Sequence, residues 1–307
     1  MRSTLHTSIK LVLSLVLVSA LSCIKRVEIK IPPFEKRLVI HGYIAVGDSF
    51  ALTVGQTVKK AYDVSFPDTY VSNAIVQLFE QGVLKDTLRY DSATKYYISK
   101  KIKAEAGRSY TIQVEAAGFP PVDATATGMP ISMTESLTYT REARSSQYGN
   151  SLDDIRFSFR DPAGVKNYYF LAVHPNAYDQ GTIGCVYSTD PVIEKQQGEL
   201  LPFDNGDCID PETIFFTDKS FDGQLEEISL SGSTVSLRTQ FKNGRFYRPY
   251  IKRYAISREF YDYYKYTSSQ QGSDLPSTIT EITNNRGNIN NGYGIFTVFD
   301  VVTDTLR

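Results

Sequence analysis

Tryptophan is absent from this 307-residue chain, and cysteine and histidine occur only three times each. So few imidazoles and thiols leave little for a zinc site. Beyond the first 22 residues only His41 and His174 remain, and neither lies at a short ligand spacing from a cysteine. G-x-S-x-G and H-E-x-x-H are also missing, so a Ser-His-Asp arrangement would have to use His41 or His174. His41 lies in an alternating strand pattern, where a half-exposed sheet histidine is the ordinary reading. His174, before Pro175 at a strand end, is the better placed of the two for chemistry. After the N-terminus no segment approaches the roughly 18 consecutive apolar residues of a membrane helix. No long run of one sign occurs among 33 basic and 34 acidic side chains, net −1, which argues against nucleic acid as a partner.

What is present begins with an address. Arg2 and Lys10 form a basic region, Leu11 to Ala20 an apolar stretch too short to span a bilayer, and Ala20, Leu21 and Ser22 lead to Cys23. Cys23 has the position of a lipobox cysteine, the acceptor of diacylglycerol in bacterial lipoproteins, although Ala20 stands where leucine is usual. An ordinary secretory signal is the alternative. Residues 1–22 are then a signal peptide, and 23–36 a linker behind a lipid anchor that needs more than one acyl chain to hold. Cys185 and Cys208 remain as an even pair in an oxidising compartment and are expected to form a disulfide, with two free buried thiols as the alternative.

The rest reads as strands. With 21 Tyr and 17 Phe, and Val, Ile and Thr abundant, the composition suits half-buried pleated surfaces. "RLVIHGYIAV" (37–46) puts Leu38, Ile40, Gly42 and Ile44 on one face, and "SFALTV" repeats the period with Phe50, Leu52 and Val54. A hairpin turns at Gln81-Gly82, "KYYISKKI" follows, and another strand starts after Gly107. Pro120, Pro121 and Pro130 interrupt the pattern but leave "DATAT" as an edge strand, placing a domain boundary near 130. Beyond it come "LTYT", "DIRFSFRDP" with Ile155, Phe157 and Phe159 in phase, and "NYYFLAVHP". From Gly181 to Asp222 a long polar loop is expected, holding both remaining cysteines.

One helix is predicted in "AISREFYDYYKYTSSQ", capped by Ser257, with Ile256, Phe260, Tyr261 and Tyr264 on one face. That aromatic stripe reads as sheet packing before sugar stacking. "GYGIFTVFDVVTDT" closes the chain as a strand, its Gly292 and Gly294 lacking the context of a dinucleotide site. Asp204, Asp207, Asp210 and Glu212 are the densest acidic cluster, but their order does not match a calcium-binding loop, and a solvated loop is the reading. Paired carboxylates for glycoside hydrolysis would declare themselves only in space.

"RLVIHGYI", "RFSFRDPAGVKNYYFLAV", "FTDKSFDGQ", "ISREFYDYYKY" and "NNGYGIF" follow one another as in the domain of unknown function 4249, a family of Bacteroidota lipoproteins that this chain resembles over nearly all of its length past Cys23. The resemblance implies a mainly β fold: an immunoglobulin-like or prealbumin-like sandwich, placed here at 37–130, and a second β-rich domain with one short helix at 131–307. It implies an outer-membrane address, frequent genetic association with TonB-dependent receptors, and no established catalytic residue. "DTL" at 86, "DSA" at 91 and "DTL" at 304 also resemble the O-glycosylation tripeptide of that phylum. The expected function is a non-enzymatic accessory or binding lipoprotein in nutrient uptake, anchored by its lipid with a slight preference for the periplasmic face, using no cofactor. Its ligand, small molecule, glycan or peptide, is open. A structural surface protein such as an adhesin or fimbrial subunit is the alternative, and a cell-surface hydrolase a more distant one.

Overall fold

A computed structural model describes residues 35–58, 69–145, 149–175, 185–194, 209, 214–270 and 287–307. Lys36–Arg307 form one compact unit. The strands of its first part are β1 (Leu38–Ala45), β2 (Ser49–Gln56), β3 (Ile75–Glu80), β4 (Val83–Asp91), β5 (Tyr96–Lys103), β6 (Ser109–Glu115) and β7 (Val122–Thr127). They are followed by β8 (Thr134–Ser145), β9 (Ser151–Arg160), β10 (Tyr168–His174), β11 (Val186–Tyr187), β12 (Ile214–Thr217) and β13 (Leu225–Ser233). The chain closes with β14 (Gln240–Lys242), β15 (Arg245–Tyr247), β16 (Tyr250–Ile256), the helix α1 (Arg258–Gln270) and β17 (Tyr293–Thr305). The fold is mainly β, with one α-helix and a single 3-10 turn (Asp218–Ser220) among the described residues, and no helix there is long and apolar enough to cross a membrane.

An eleven-stranded sheet runs β12-β10-β16-β17-β1-β2-β5-β4-β3-β6-β7, a four-stranded sheet runs β11-β13-β9-β8, and β14 and β15 pair alone. Period-two patterning decides which side chains go inward: Leu38, Ile40 and Ile44 of β1 are buried, as are Phe50, Leu52 and Val54 of β2. Each such side chain contributes about 1.5–3 kcal/mol on leaving water. They join Val76, Leu78, Tyr110 and Ile112 in a first apolar core. A second core lies between the four-stranded sheet and the β12-β10-β16 end of the large one, built on Ile155, Phe157 and Phe159 against Tyr169, Leu171 and Phe216.

β17 serves both cores. Its Phe296 and Val298 belong to the first, while Leu306, just past its end, belongs to the second. It pairs in parallel with β1 from Val39↔Tyr293 to Ala45↔Phe299, then antiparallel with β16 from Ala255↔Asp300 to Tyr250↔Thr305. The C-terminal strand therefore crosses the level of the Pro130 boundary to complete the sheet that β1 begins.

Local chemistry accounts for the punctuation. Gln81 and Gly82 both have positive φ, 49° and 81°, as a two-residue hairpin closing β3 onto β4 requires. The edge strand read in "DATAT" is β7, the outermost strand of the large sheet. Ser257 caps α1, its hydroxyl accepting from the Phe260 N–H at 3.2 Å. Ile256, Phe260 and Tyr261 are buried in a third cluster with Tyr168, Phe215 and Ile295, so the aromatic stripe is packing. Within the stretch 181–222, read as loop, the structure holds two short strands, β11 and β12. Ile214, Phe215 and Phe216 of β12 are all buried, a continuous apolar run too short to carry a period.

Candidate binding groove

At the end of β16 and β17 nearest the β14–β15 pair, an open groove of about 620 Å³ is lined by Tyr247, Arg248, Tyr250, Lys252, Thr303 and Thr305, with Phe246 at its rim. Its floor follows from register. Tyr250 lies opposite Thr305 and Lys252 opposite Thr303, so four alternate side chains share one sheet face while Ile251 and Arg253 point to the other. On the far side Tyr250 pairs with His174 of β10, and their rings stack at 4.7 Å between centroids and 25° between planes. The Lys252 ammonium lies 5.8 Å from the centroid of the same tyrosine ring. The groove thus offers an aromatic surface, two cations and two threonine hydroxyls beside the tyrosine phenols, and no carboxylate or thiol is among its lining residues. Such a set stacks on a flat or sugar-like face and pairs with anionic groups; it supplies no nucleophile with an adjacent base.

A second groove of about 530 Å³ lies over the β4–β5 hairpin, lined by Asp86, Arg89, Asp91, Ser92 and Lys101 among others. Asp86 is buried there. It accepts from Ser99 Oγ at 2.7 Å and from Lys101 at 2.8 Å. Burial raises its pKa, but the hydrogen bonds from Lys101 and Ser99 and the Lys101 charge prevail, and the carboxyl sits below its ordinary value. The hydroxyl-bearing residues of the three glycosylation-like tripeptides, Thr87, Ser92 and Thr305, are all exposed.

Two sequence motifs meet in a third place. Asp161, Asp218 and Asp222 bring carboxylate oxygens within 4.8 Å of one another, the first two buried. Donors face each of them. Asp161 accepts from the Tyr169 hydroxyl at 2.5 Å and the Gly223 N–H at 3.1 Å, Asp218 from the Asn167 N–H at 2.8 Å, and Asp222 from the Gly164 N–H at 2.7 Å. Burial pushes the Asp161 carboxyl up; Tyr169 and Gly223 oppose this, and the Asp218 and Asp222 charges add to it. The trio ties the loop 161–167 to the turn 218–224, and that bracing is the role its donors account for.

Of the residues singled out in the sequence, His41 is partly buried in β1, its pKa lowered by burial, its ring stacked on Tyr43 at 6.4 Å. Two strands stand between it and His174, so the two imidazoles are not brought together. Cys185 lies immediately before β11, whereas Cys23, Cys208, Asp204, Asp207, Asp210 and Glu212 lie outside the described residues. The groove residues were not singled out. Their signal is a stretch from Ile228 to Arg258 that contains no acidic residue, crossed by Asn243-Gly244, a hairpin dipeptide.

A mainly β chain with two cores, a closing strand shared between them and an open aromatic groove is the class that these observations define. The family model for the domain of unknown function DUF4249 matches residues 24–305, and the chain belongs to that family. No curated protein matches it. Among solved structures, one assigned as a membrane anchored protein from Corynebacterium diphtheriae matches at 11% identity over 74% of this chain and 56% of that chain, with a TM-score of 0.23, which carries no argument.

Proposed function

We propose that this protein is a non-enzymatic binding lipoprotein, held at the outer membrane through Cys23, that takes an anionic ligand with a flat or sugar-like face and works beside a TonB-dependent receptor in nutrient uptake. The observation that carries the binding half is the groove, with the Tyr250 ring stacked on His174 and flanked by Lys252 and Arg248. Cationic and aromatic groups converge there on a rigid sheet end, the arrangement by which small-molecule sites orient a ligand. The address and the receptor come with the family resemblance and the signal-like N-terminus.

The same reading includes a Cys185–Cys208 disulfide. Val186 and Ile209, each the chain neighbour of one cysteine, exchange backbone hydrogen bonds of 3.0 and 2.8 Å. Such a bridge would brace the edge of the four-stranded sheet.

The test is calorimetric titration of the purified chain with acidic oligosaccharides and their neutral counterparts, repeated on Arg248→Ala with Lys252→Ala. Binding of the acidic ligands that weakens at least about tenfold in the double variant is expected, on the scale of two charge-assisted contacts. Equal binding of neutral ligands, or no change in the variant, would refute the groove. Co-purification with a TonB-dependent receptor in mild detergent tests the partner separately.

A further inference from the structure

The β14–β15 hairpin makes choices that cost an isolated protein. Its register sets Phe241 directly opposite Phe246 and Lys242 directly opposite Arg245. The two phenylalanines are 64% and 67% exposed, their rings 4.7 Å apart at 48°. Like charges directly across an antiparallel pair repel, and large apolar side chains left in water forgo the burial that stabilises a fold. The turn between them is well made: Asn243 and Gly244 have φ of 52° and 74°, the left-handed pair that closes a two-residue hairpin. The finger therefore has a defined shape, and it belongs to neither of the larger sheets.

We propose that this hairpin is a contact site for an anionic lipid surface, the Phe241–Phe246 pair entering the headgroup region while Lys242, Arg245 and Arg248 meet lipid phosphates. Anionic headgroups attract the cations, and the interface takes up the rings. Charge complementarity selects this occupant, because no acidic residue lies between Ile228 and Arg258. Tether length permits it. β17 begins beside β1, near the N-terminal entry of the compact unit, and ends beside the groove, about 40 Å away at strand spacing. Residues 23–36 can reach about 45 Å when extended. A lipid on Cys23 would not hold the finger off the bilayer. Phe246 and Arg248 also line the groove, so the inference rests on the Phe241–Phe246 pair and on Lys242 and Arg245.

The test uses the mature chain carrying Cys23→Ser, so that no lipid holds it, with vesicles of phosphatidylcholine alone or mixed with phosphatidylglycerol. Sedimentation with the mixed vesicles and little with phosphatidylcholine is expected. Phe241→Ser with Phe246→Ser should weaken it at least about tenfold, and Lys242→Glu with Arg245→Glu likewise, while both variants melt as the parent does. Because the chain has no tryptophan, Phe246→Trp gives a single reporter whose emission should shift to the blue and be quenched by brominated lipid. Absence of binding by the parent, binding untouched by both double variants, or unshifted tryptophan emission would overturn the proposal. So would self-association that the phenylalanine variant abolishes in protein that ignores vesicles.

Discussion

The guanidinium carbon of Arg253 lies 3.9 Å from the centroid of the Phe159 ring. One residue comes from β16 and the other from β9, so this contact joins the two sheets that enclose the second core. Arg253 is 1% exposed, and its one described hydrogen bond runs from Nη2 to the Ser132 carbonyl at 2.7 Å. Among the described residues its Nε and Nη1 have no hydrogen-bond partner. Burial pulls its pKa down to about 10, although Tyr169, Asp304 and Asp161 all favour the charged form.

A buried cation with unmet donors stabilises less than its contacts suggest, because its desolvation is not fully compensated. Arg253→Met keeps the stem and removes the charge, and is expected to melt no lower than the parent. Arg253→Ala opens a cavity beside Phe159 and should cost about 2–5 kcal/mol. Denaturant unfolding of both variants checks this; an equal loss in the two would assign the stabilisation to the charge.

Gly294 has φ of +101°, and a Cβ there would lie 2.0 Å from the Ile40 carbonyl oxygen. Gly47 has φ of +91° with nothing near its Cβ position. Gly47→Ala should therefore cost only backbone strain, about 1–2 kcal/mol. Gly294→Ala adds a collision with β1 in the parallel β1–β17 pair and is expected to cost at least about 2 kcal/mol more. Chemical denaturation of the two variants side by side isolates that collision.

Strands announced by alternation, such as β1, β2 and the Ile155-Phe157-Phe159 stretch of β9, were legible because one buried face forces period two. The helix was legible from Ser257 and from Phe260, Tyr261 and Tyr264, whereas Ile256, read with that face, ends β16. β12 was not, because four residues set among Gly, Pro and Asp show no period. Nor was the β1–β17 pairing, which joins opposite ends of the chain and leaves no local trace. The groove depends on that pairing and on the β10–β16–β17 register, so its residue types were visible while their convergence was not. The Asp161, Asp218 and Asp222 trio was quoted within two motifs yet assembles only when β10 and β12 pair.

Asp86 predicts an acid-side loss of stability. Its folded pKa lies below the ordinary 3.8, so its contribution is fully present above that value and is lost as pH falls through the lowered pKa. Asp86→Ala takes away the acceptor of the buried Ser99 hydroxyl, which keeps only the Lys101 N–H as donor to it, and should cost about 1–3 kcal/mol at neutral pH. The gap between parent and variant should close in strong acid. A constant gap from neutral to acid pH, read from thermal melts, would assign the effect to packing instead.

Cys23 predicts the anchor. Cys23→Ala should abolish incorporation of labelled fatty acid and release the protein from membranes on washing, unless the hairpin retains it on anionic lipid. High salt should then release it, since exposed charge contacts are screened while acyl chains are not. Labelling that survives the substitution would return the N-terminus to an ordinary secretory signal.

The proposed Cys185–Cys208 bridge makes the last prediction. Closing that loop removes chain entropy from the unfolded state worth roughly 3 kcal/mol, if the native geometry is unstrained. Cys185→Ser with Cys208→Ser should therefore lower stability by about that amount, with the loss centred on β11 and its neighbour β13, which pair at Val186↔Gly232 and Tyr187↔Ser231. Hydrogen exchange should rise first at those amides, because the short β11 holds its place through few ladder bonds. Intact mass after alkylation, with and without reduction, decides the pairing: protein exported under oxidising conditions should take up alkyl groups at Cys185 and Cys208 only after reduction. Alkylation of both without reductant would refute the bridge and leave the Val186–Ile209 hydrogen bonds as the feature that holds this edge.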